Sequence, residues 1–537
     1  MLPELRLHNG KKVLYVEGRP FYLLAGEVHN SASSTRESLA PVMDRLASLK
    51  LNTALVPVSW QLIEPEEGCF DFSMVELCLS EARRTGLRLG LLWFGSWKNA
   101  QCSYAPEWVK RDDKRFFRAQ LKPGQPLFLR RAGLLKLPYT TISPFCEEAC
   151  RADARAFAAL MSYLREHDPE HTVITVQVEN ETGFLGGDMD YRPEALALFE
   201  QTVPEELTKG LRAQREALIP GLRRQLDKGL QGDWSRVFGR YAHEVFIAYY
   251  TARYVNTVAE AGLRELALPT SSNCWLNTTL RTRPGKYPCG GPVAKMSAVW
   301  RIAAPSVDFH APDIYLDNFL EVCGDFDRAS GSVYVPESKA CDLSLGRSLY
   351  LVGRHHAACY STFGTEDIGN GAPDLGRFGF LMGFASGHKK DGPLEPSLYA
   401  RLNELLCGAM PVLAPFYGSG RLDAFCREAG RGRERIAVER CFGDVSLRAV
   451  YLPVGPVKNG GLLFARLSED ELLVIGTGLM LTLRSAVRNK PCYENLRIEE
   501  GRFENGCWVK SRVLNGDEEM LLLQEPTALR IRYRLFE

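Results

Sequence analysis

The chain has 537 residues, of which 45% are hydrophobic and 24% charged, as in an ordinary globular protein. This composition excludes collagen-like, coiled-coil and disordered chains, and the length predicts one large domain plus an accessory domain. The 66 Lys and Arg residues are balanced by 65 Asp and Glu residues. Because nucleic-acid binders carry a surplus of basic residues, we expect no nucleic-acid partner.

Compartment and redox state are inferred from the chain's start and from its cysteines. Residues Met1–Arg6 lack a basic start followed by an apolar stretch, and no apolar run approaches the roughly 20 residues that span a bilayer. The 15 cysteines are scattered and include no CxxC pair, unlike a disulfide scaffold or a zinc ribbon. We therefore expect a cytoplasmic protein with reduced thiols and no membrane contact.

Short apolar runs alternate with longer segments of helical spacing through residues 1–404. Runs that are apolar at consecutive positions are typical of strands buried on both faces, as in parallel sheets. The eight predicted strands are Phe21–Ala25, Thr53–Val58, Leu87–Trp93, Thr172–Val178, Leu266–Thr270, Val307–His310, Ser332–Val335 and Ala357–Tyr360. Eight strand-helix units predict an α/β fold, a (β/α)8 TIM barrel.

Two segments enlarge the predicted barrel. Residues 191–240 are charged and helical in pattern, and residues 277–299 are rich in Gly, Pro and Arg. Both follow strands at the C-terminal face, where barrel enzymes hold their active sites. They either wall a substrate pocket or serve as decoration or an oligomer contact, and a homo-oligomer remains open.

The pattern changes to short alternating strands from residue 405 onward. Asn505-Gly506 and Asn459-Gly460 mark turns, and Asn-Gly between strand-like segments indicates a hairpin. The predicted strands are Ile436–Val438, Val445–Leu452, Gly461–Leu467, Glu471–Thr477, Leu479–Leu483, Trp508–Val513, Met520–Leu523 and Ala528–Leu535. Residues 405–537 are therefore predicted to form a β-sandwich-like domain after a catalytic barrel at 1–404.

Two predicted strands end in carboxylates. Strand four runs into Glu179-Asn180-Glu181, and strand seven runs into Glu337. A lone Glu at a strand end is ordinarily solvated or paired with a base. Two of them across one barrel mouth are what cleavage of a glycosidic bond needs, because one group protonates the leaving oxygen while the other meets the anomeric carbon.

These strings resemble family 35 β-galactosidases, retaining glycosidases built on (β/α)8 barrels. The similar stretches are Ala25–His29, Val56–Trp60, Glu64–Phe72, Gln177–Gly183 and Val333–Glu337. Others, such as Pro106–Lys110 and Glu499–Phe503, are similar to a bacterial subgroup in which a β-rich domain follows the barrel. Residues Phe94–Asn99 differ from the family pattern. At this position its better-known members have a Cys-Ala-Glu-Trp string that binds galactose.

The resemblance implies a role for each matched residue. Glu181 would be the acid/base, Glu337 the nucleophile and Asn180 the ligand of the sugar 2-hydroxyl. In a retaining pair we expect the two carboxyl groups about 5–5.5 Å apart. Burial and the Glu337 charge should keep Glu181 protonated at the start of the cycle, while Glu337 stays ionised.

Other residues at predicted strand ends are candidates for binding a sugar. Aromatic rings stack on the C–H face of a pyranose, although a single aromatic residue is more often part of the core. The substrate-binding candidates are Glu27, Trp60, Trp97, Asn180, Trp275, Tyr315 and Phe363. Lys98 and Asn273 are further hydroxyl ligands to consider, and His310 or Tyr315 could orient Glu337.

The sequence favours a retaining exo-β-glycosidase that releases a terminal sugar from a glycoside or oligosaccharide, with β-galactosidase as the leading assignment. The alternatives are the same mechanism on a β-glucoside, β-fucoside, α-L-arabinopyranoside or galactosaminide, and a non-catalytic carbohydrate-binding barrel. We expect no cofactor and no metal. No His-x-His marks the first strand, His355-His356 precedes the eighth, and no phosphate-binding glycine motif occurs.

Overall fold

A computed structural model describes the protein at residues 1–123, 128–131, 135–138, 140–277, 283–316, 318–370, 392–428, 436–504 and 506–537. Between 124 and 139 it describes backbone only, as two short strands, Phe128–Arg131 and Leu135–Pro138. Residues 278–282 of the predicted 277–299 insertion lie outside the described residues. Within the described ranges, no helix is both long and apolar enough to cross a membrane.

The predicted barrel is confirmed, with parallel strands in the order of the chain. Barrel strands one to six are Leu23–Glu27, Thr53–Ser59, Arg88–Phe94, Val173–Val178, Thr270–Trp275 and Phe309–Ile314, and strand eight is Cys359–Phe363. Strands one, two, four and six are buried along their whole length, which is why they read as continuous apolar runs.

The seventh strand closes the barrel in two pieces on either side of Pro336. Tyr334–Val335 pairs with strand eight and Glu337–Ser338 pairs with strand six, both in parallel. Proline has no N–H to donate, so a break at this position is expected. Each half of strand seven therefore pairs with one neighbour, strand eight or strand six. Glu337 lies on the half that pairs with strand six.

The largest departures from the predicted strand bounds are in strands five and six. The fifth was predicted at Leu266–Thr270, but Leu266 is still bonded to the end of helix Ala242–Glu265 through its N–H to Gly262 O. The strand begins at Thr270 instead. The sixth strand was predicted to end at His310 and continues to Ile314, passing through Pro312.

Helices connect the barrel strands and lie outside them. Thr35 and Ser38 form a reciprocal cap at the start of Arg36–Ser48, and Gly86, at φ +73°, ends Ser73–Thr85. The other barrel helices are Trp60–Ile63, Glu107–Arg111, Glu147–His167, Ala242–Glu265, Ser297–Ala303, Phe319–Ser330, Ser344–Tyr350 and Pro396–Leu413, with a π-helical turn at Leu351–His355.

A three-stranded antiparallel sheet at the N-terminus was not predicted. Its strands are Glu4–His8, Lys11–Val16 and Arg19–Phe21. Leu14 and Val16 join the cluster of apolar side chains that fills the barrel interior. Lys12 donates to the carbonyl of Asp308, just before barrel strand six. The sheet therefore covers the N-terminal end of the barrel and leaves the opposite end for a site.

The two predicted insertions follow strands four and five. Residues 191–240 are helical as predicted, in four helices: Pro193–Phe199, Glu205–Ala213, Pro220–Leu226 and Trp234–Phe238. In the second insertion, Cys289–Gly290 pairs with Gly183–Phe184, which follows the Glu179-Asn180-Glu181 triplet. The second insertion is thus tied by backbone hydrogen bonds to the segment just beyond Glu181.

The C-terminal region is all-β, as predicted, and consists of two antiparallel sheets. The six-stranded sheet has the spatial order Leu422–Cys426, Gly461–Ser468, Glu471–Thr477, Thr527–Phe536, Cys492–Glu504, Cys507–Leu514; the four-stranded sheet has the order Ala437–Phe442, Val445–Tyr451, Leu479–Ser485, Leu522–Leu523. Val445 and Leu481 of the smaller sheet share one core with Leu462 and Val474 of the larger, so the sheets pack face to face.

The barrel and the β region meet through glycines. The helix Pro396–Leu413 spans the predicted boundary between residues 404 and 405. A Cβ at Gly408 would lie 2.2 Å from the Phe503 carbonyl oxygen, and one at Gly346 would lie 2.8 Å from the Gly460 carbonyl oxygen. The backbones of the two parts are therefore in direct contact.

Candidate active site

Four carboxyl groups converge at the C-terminal end of the barrel. They belong to Glu27 at the end of strand one, Glu181 after strand four, Asp313 in strand six and Glu337 in strand seven. Their exposures are 0%, 6%, 4% and 7%. Each of the other three raises the pKa of Asp313. We call these four residues the carboxylate cluster.

The backbone turns sharply where strand four ends. The strand stops at Val178, and both Glu179 and Glu181 adopt positive φ, +63° and +45°, a conformation that costs a non-glycine residue of order 1 kcal/mol or more. The Glu181 N–H donates to Asn273 Oδ1 at 2.8 Å, and its carbonyl accepts from the Ala100 N–H at 3.0 Å. These two bonds fix the turn at Glu181. The side chain of Glu179 lies instead against the loop after strand three.

Glu337 is held by the neighbouring strand and by a tyrosine. It lies beside Asp313 in the register of strands six and seven, and the Tyr315 hydroxyl donates to its Oε1. Burial of the hydroxyl, although the residue as a whole is 41% exposed, and the Glu337 charge raise the pKa of Tyr315 well above its usual value, so the phenol stays a donor. Of the two orienting residues considered, His310 instead bonds Ser297 through Nδ1 at 2.6 Å.

The cluster carries more negative charge than its surroundings offset. Burial, and then the Glu337 charge, raise the pKa of Glu27 and of Asp313 well above the usual carboxyl range. Lys98, itself 6% exposed, opposes both shifts, and its ammonium group lies 4.6 Å from the centre of the Phe94 ring. Burial and the Glu337 charge therefore favour the protonated form of Glu27, and neither of its carboxyl oxygens has a hydrogen-bond partner within the described residues.

The loop after strand three is fixed by a second carboxyl pair. Glu179 accepts from the backbone N–H groups of Ser96 (3.2 Å) and Trp97 (2.7 Å), and Asp153 accepts from Ser96 N–H, Ser96 Oγ and Trp93 Nε1. A Cβ at position 95 would lie 2.6 Å from an oxygen of each carboxylate. Only glycine fits there, and the loop is closed around the pair.

Of the five aromatic candidates, Trp60 and Trp97 are buried, whereas Trp275 and Tyr315 are partly exposed. Trp60 is fully buried, donates its indole N–H to Glu64 and packs edge-on against Trp108. Trp97 is also fully buried, but its Nε1 has no hydrogen-bond partner within the described part of the chain. Trp275 is half-buried, and Tyr315 is 41% exposed. Surface for stacking a sugar is thus offered by Trp275 and Tyr315.

The remaining predicted residues lie around the same mouth. Neither polar atom of the buried Asn180 side chain finds a partner among the described residues, so its amide is available to a ligand. The Asn273 amide is fully engaged by Glu181 and Asp313. Phe363, partly exposed at the end of strand eight, contacts the His29 ring edge-to-face at 5.2 Å, which places it at the rim.

Sequence reasoning missed two carboxylates. Asp313 has the signal used for Glu27 and Glu337, an acid at the end of a buried strand, but strand six was predicted to end before Pro312. Asp153 lies in the middle of helix Glu147–His167, and no local pattern distinguishes it from a surface acid of that helix. Within the described residues, no group of three or more His, Cys, Asp or Glu could hold a metal ion.

A family model matches the C-terminal part of the chain. It covers residues 399–524 and is described as a domain of unknown function, DUF5597. The match starts inside the helix Pro396–Leu413 and ends beyond the strand Cys507–Leu514. It assigns no activity to the β region.

A curated protein is similar to part of the chain. A β-galactosidase from Xanthomonas manihotis is 30% identical over 189 residues, which is 34% of this chain and 27% of the relative. The similarity thus spans about a quarter of that protein's length. It is a similarity to a β-galactosidase and leaves the activity of this chain to be proposed.

Solved glycosidase structures are similar in outline. A β-galactosidase from Bacillus circulans sp. alkalophilus is 12% identical, with a TM-score of 0.42, over 64% of this chain and 50% of its own. The exo-β-1,4-mannosidase Op5Man5 from Opitutaceae bacterium strain TAV5 is 12% identical, with a TM-score of 0.40, over 73% and 61%. Similarity at this level assigns no activity.

Proposed function

We propose that the protein is a retaining exo-β-glycosidase, with Glu181 as acid/base and Glu337 as nucleophile. The observation that carries the proposal is the convergence of these two glutamates, from strands four and seven, in one buried cluster. Both are nearly buried, yet one carboxylate oxygen of Glu337 has no hydrogen-bond partner in the described structure. An oriented carboxylate with an unused oxygen is suited to attack a bound carbon.

The reaction would proceed by double displacement. Glu337 attacks the anomeric carbon and forms an ester bond to it, while the bond to the glycosidic oxygen breaks and Glu181 gives its proton to that oxygen. Glu181, now ionised, then takes a proton from water. The resulting hydroxide oxygen displaces Glu337, which leaves as a carboxylate and completes the cycle.

The neighbouring residues fit supporting roles in this reaction. The Tyr315 hydroxyl fixes Glu337 Oε1 and leaves the other oxygen free for attack. The Asn180 amide, which has no partner among the described residues, suits a sugar hydroxyl next to the anomeric carbon, and the buried Glu27 carboxyl, also without a partner there, suits another hydroxyl. Partly exposed Trp275, Tyr315 and Phe363 supply apolar surface at the rim.

A terminal β-galactoside is the proposed substrate. The family 35-like strings and the partial similarity to a curated β-galactosidase both support galactose. The other sugars named above share the same mechanism and differ in the hydroxyl positions that the pocket must match. Because Lys98 and Trp97 occupy the third-strand loop, these two residues are the ones we expect to discriminate between sugars.

A panel of aryl glycosides tests the proposal. We expect the wild-type protein to hydrolyse p-nitrophenyl β-galactoside, with retained configuration in the first product by NMR, and Glu337→Gln and Glu181→Gln to lose this activity. Glu494→Gln, an exposed change in the β region, is the matched control. Full activity of Glu337→Gln would overturn the assignment. A wild type that binds sugars in titration calorimetry and cleaves none would instead be a carbohydrate-binding barrel.

A further inference from the structure

Asp313 is a buried acid in the carboxylate cluster that the proposed reaction does not use. It lies in barrel strand six, two residues before Tyr315, and is 4% exposed. Its Oδ2 accepts from Asn273 Nδ2 at 2.9 Å, whereas Oδ1 has no partner in the described part of the chain. A carboxyl group buried beside three other acids is costly, so its presence requires an explanation.

The Asn273 side chain links Asp313 to the backbone of Glu181. An amide can flip, presenting either its oxygen or its NH2 group to a given neighbour. Here its NH2 group donates to Asp313 Oδ2 and its oxygen accepts the Glu181 N–H at 2.8 Å. Because Asp313 offers an acceptor on one side, the amide oxygen is fixed on the other side, where the Glu181 N–H needs it.

The Glu181 backbone depends on such an anchor. Its φ of +45° is unfavourable for a residue with a side chain, and the turn begins immediately after the last hydrogen-bonded residue of strand four. Without the Asn273 acceptor, the N–H of this buried peptide would lose its bond, and the local conformation would relax. The carboxyl group of Glu181 would then move relative to the leaving oxygen.

We propose that Asp313 is a positioning residue for the acid/base step: through Asn273 it holds the Glu181 backbone so that the Glu181 carboxyl faces the glycosidic oxygen. This inference builds on the proposed function. It assigns Asp313 no contact with the reacting atoms, and it accounts for a buried acid beside the catalytic pair.

Leaving-group dependence separates this role from a merely structural one. A 2,4-dinitrophenyl group departs without protonation, whereas an alkyl or sugar leaving group needs the proton of Glu181. Misplacement by about 1 Å can cost about 100-fold in rate. For Asp313→Ala we expect kcat/KM on a disaccharide to fall about 100-fold, and on the 2,4-dinitrophenyl glycoside less than about 5-fold.

Two variants serve as controls. Asp313→Asn keeps a side-chain oxygen for Asn273, so it should restore most of the disaccharide activity lost in Asp313→Ala. Asp168→Ala removes a buried carboxylate that accepts from Val173 at the opposite end of the barrel. Any loss it causes should be the same for both substrates. Equal losses for both substrates in Asp313→Ala would overturn the proposal.

Amide hydrogen exchange tests the positioning without any substrate. The peptide that contains the Glu181 N–H should exchange at least 10-fold faster in Asp313→Ala than in the wild type, and at the wild-type rate in Asp313→Asn. Unchanged exchange in Asp313→Ala would contradict the inference even if the protein proves to be a glycosidase. Faster exchange in a protein that cleaves no glycoside would support the structural link between Asp313 and Glu181. It would contradict only the proposed function.

Discussion

The carboxyl groups of Asp153 and Glu179 share one hydrogen-bond donor in the interior, where neither residue is exposed: both accept from the Ser96 N–H, at 3.0 Å and 3.2 Å. Asp153 also accepts from Trp93 Nε1 and twice from Ser96, and these donors favour its charged form. The pKa of Glu179 is raised well above its usual value by burial and by the Asp153 charge. Burial and the Asp153 charge therefore favour the protonated form of Glu179.

This pair predicts a pH dependence of folding stability. The unfolded chain releases the Glu179 proton near the ordinary Glu pKa of about 4.3. The folded chain keeps this proton to higher pH, because the pKa of Glu179 is raised there. The stability contributed by the pair is thus complete below about pH 4.3 and declines as pH rises toward the raised folded value. In urea unfolding between pH 4 and pH 9, the difference in free energy between the wild type and Glu179→Gln should fall with pH.

Glu179→Ala is the disruptive counterpart of that variant. It leaves the Trp97 N–H without its acceptor, and an unsatisfied buried donor costs about 1–3 kcal/mol, so we expect a loss of that size at pH 6. Glu179→Gln should lose less, because its amide oxygen can still accept from the Trp97 N–H. A wild-type stability that rises relative to Glu179→Gln as pH increases would contradict the assignment of the proton.

Azide provides a test of the nucleophile. In Glu337→Gly the carboxylate is removed and a small anion can enter its place, so added azide should restore activity on an activated β-glycoside and yield the α-glycosyl azide. In Glu181→Ala, azide should instead yield the β-glycosyl azide, because attack then occurs on the glycosyl-enzyme. Product stereochemistry by NMR distinguishes the two, and a β product from Glu337→Gly would exchange the assigned roles.

Tyr315→Phe removes one hydrogen bond from the nucleophile. A hydrogen bond to a charged group contributes about 1.5–3 kcal/mol, so kcat/KM should fall about 10- to 100-fold. Tyr191→Phe is the matched control, because Tyr191, at the start of the first insertion, donates its hydroxyl to Asp188 and not to the carboxylate cluster. Steady-state kinetics check this prediction. Equal small losses of kcat/KM in both variants would show that Tyr315 does not support the nucleophile.

Glu27 predicts a loss of activity on the alkaline side. Its pKa is raised well above the usual value by burial and by Glu337, so it ionises only as pH rises, and its charge then opposes that of Glu337 and weakens sugar binding. With a 2,4-dinitrophenyl glycoside, which needs no acid catalysis, kcat/KM should still fall at high pH. Glu27→Gln should flatten this alkaline limb, and an unaltered limb would assign the titration to another group.

Much of the barrel could be predicted because its strands are buried on both faces. Thr53–Ser59 and Val173–Val178 are apolar runs with clear ends, so Trp60 and Glu181, which follow them, could be placed at the C-terminal face. The N-terminal sheet could not be predicted this way. Glu4–His8 is exposed or half-exposed throughout and has no apolar run. It pairs with Lys11–Val16 through a turn at Asn9-Gly10. An Asn-Gly turn predicts a hairpin only when the segments on both sides look like strands, and this short polar segment does not.

The site was predictable as a pair of acids and not as a network. Glu181 and Glu337 stand at the ends of apolar strands, which is a local signal. The roles of Asn273 and Asp313 depend on which atoms face each other across three strands, and a one-dimensional pattern does not contain that information. For Trp60 the position after strand two was predicted correctly and the role was not. Trp60 is fully buried and donates its indole N–H to Glu64, so it offers no surface to a sugar.

The contact between Gly346 and the Gly460 carbonyl has an evolutionary implication. Gly346 lies in the helix Ser344–Tyr350, which follows strand seven and the proposed nucleophile, and any side chain at this position would push the two backbones apart. A lineage that lost or exchanged the β region would uncover the backbone of that helix directly behind the reaction centre. The two parts are therefore expected to be inherited together, with glycine retained at this point of contact.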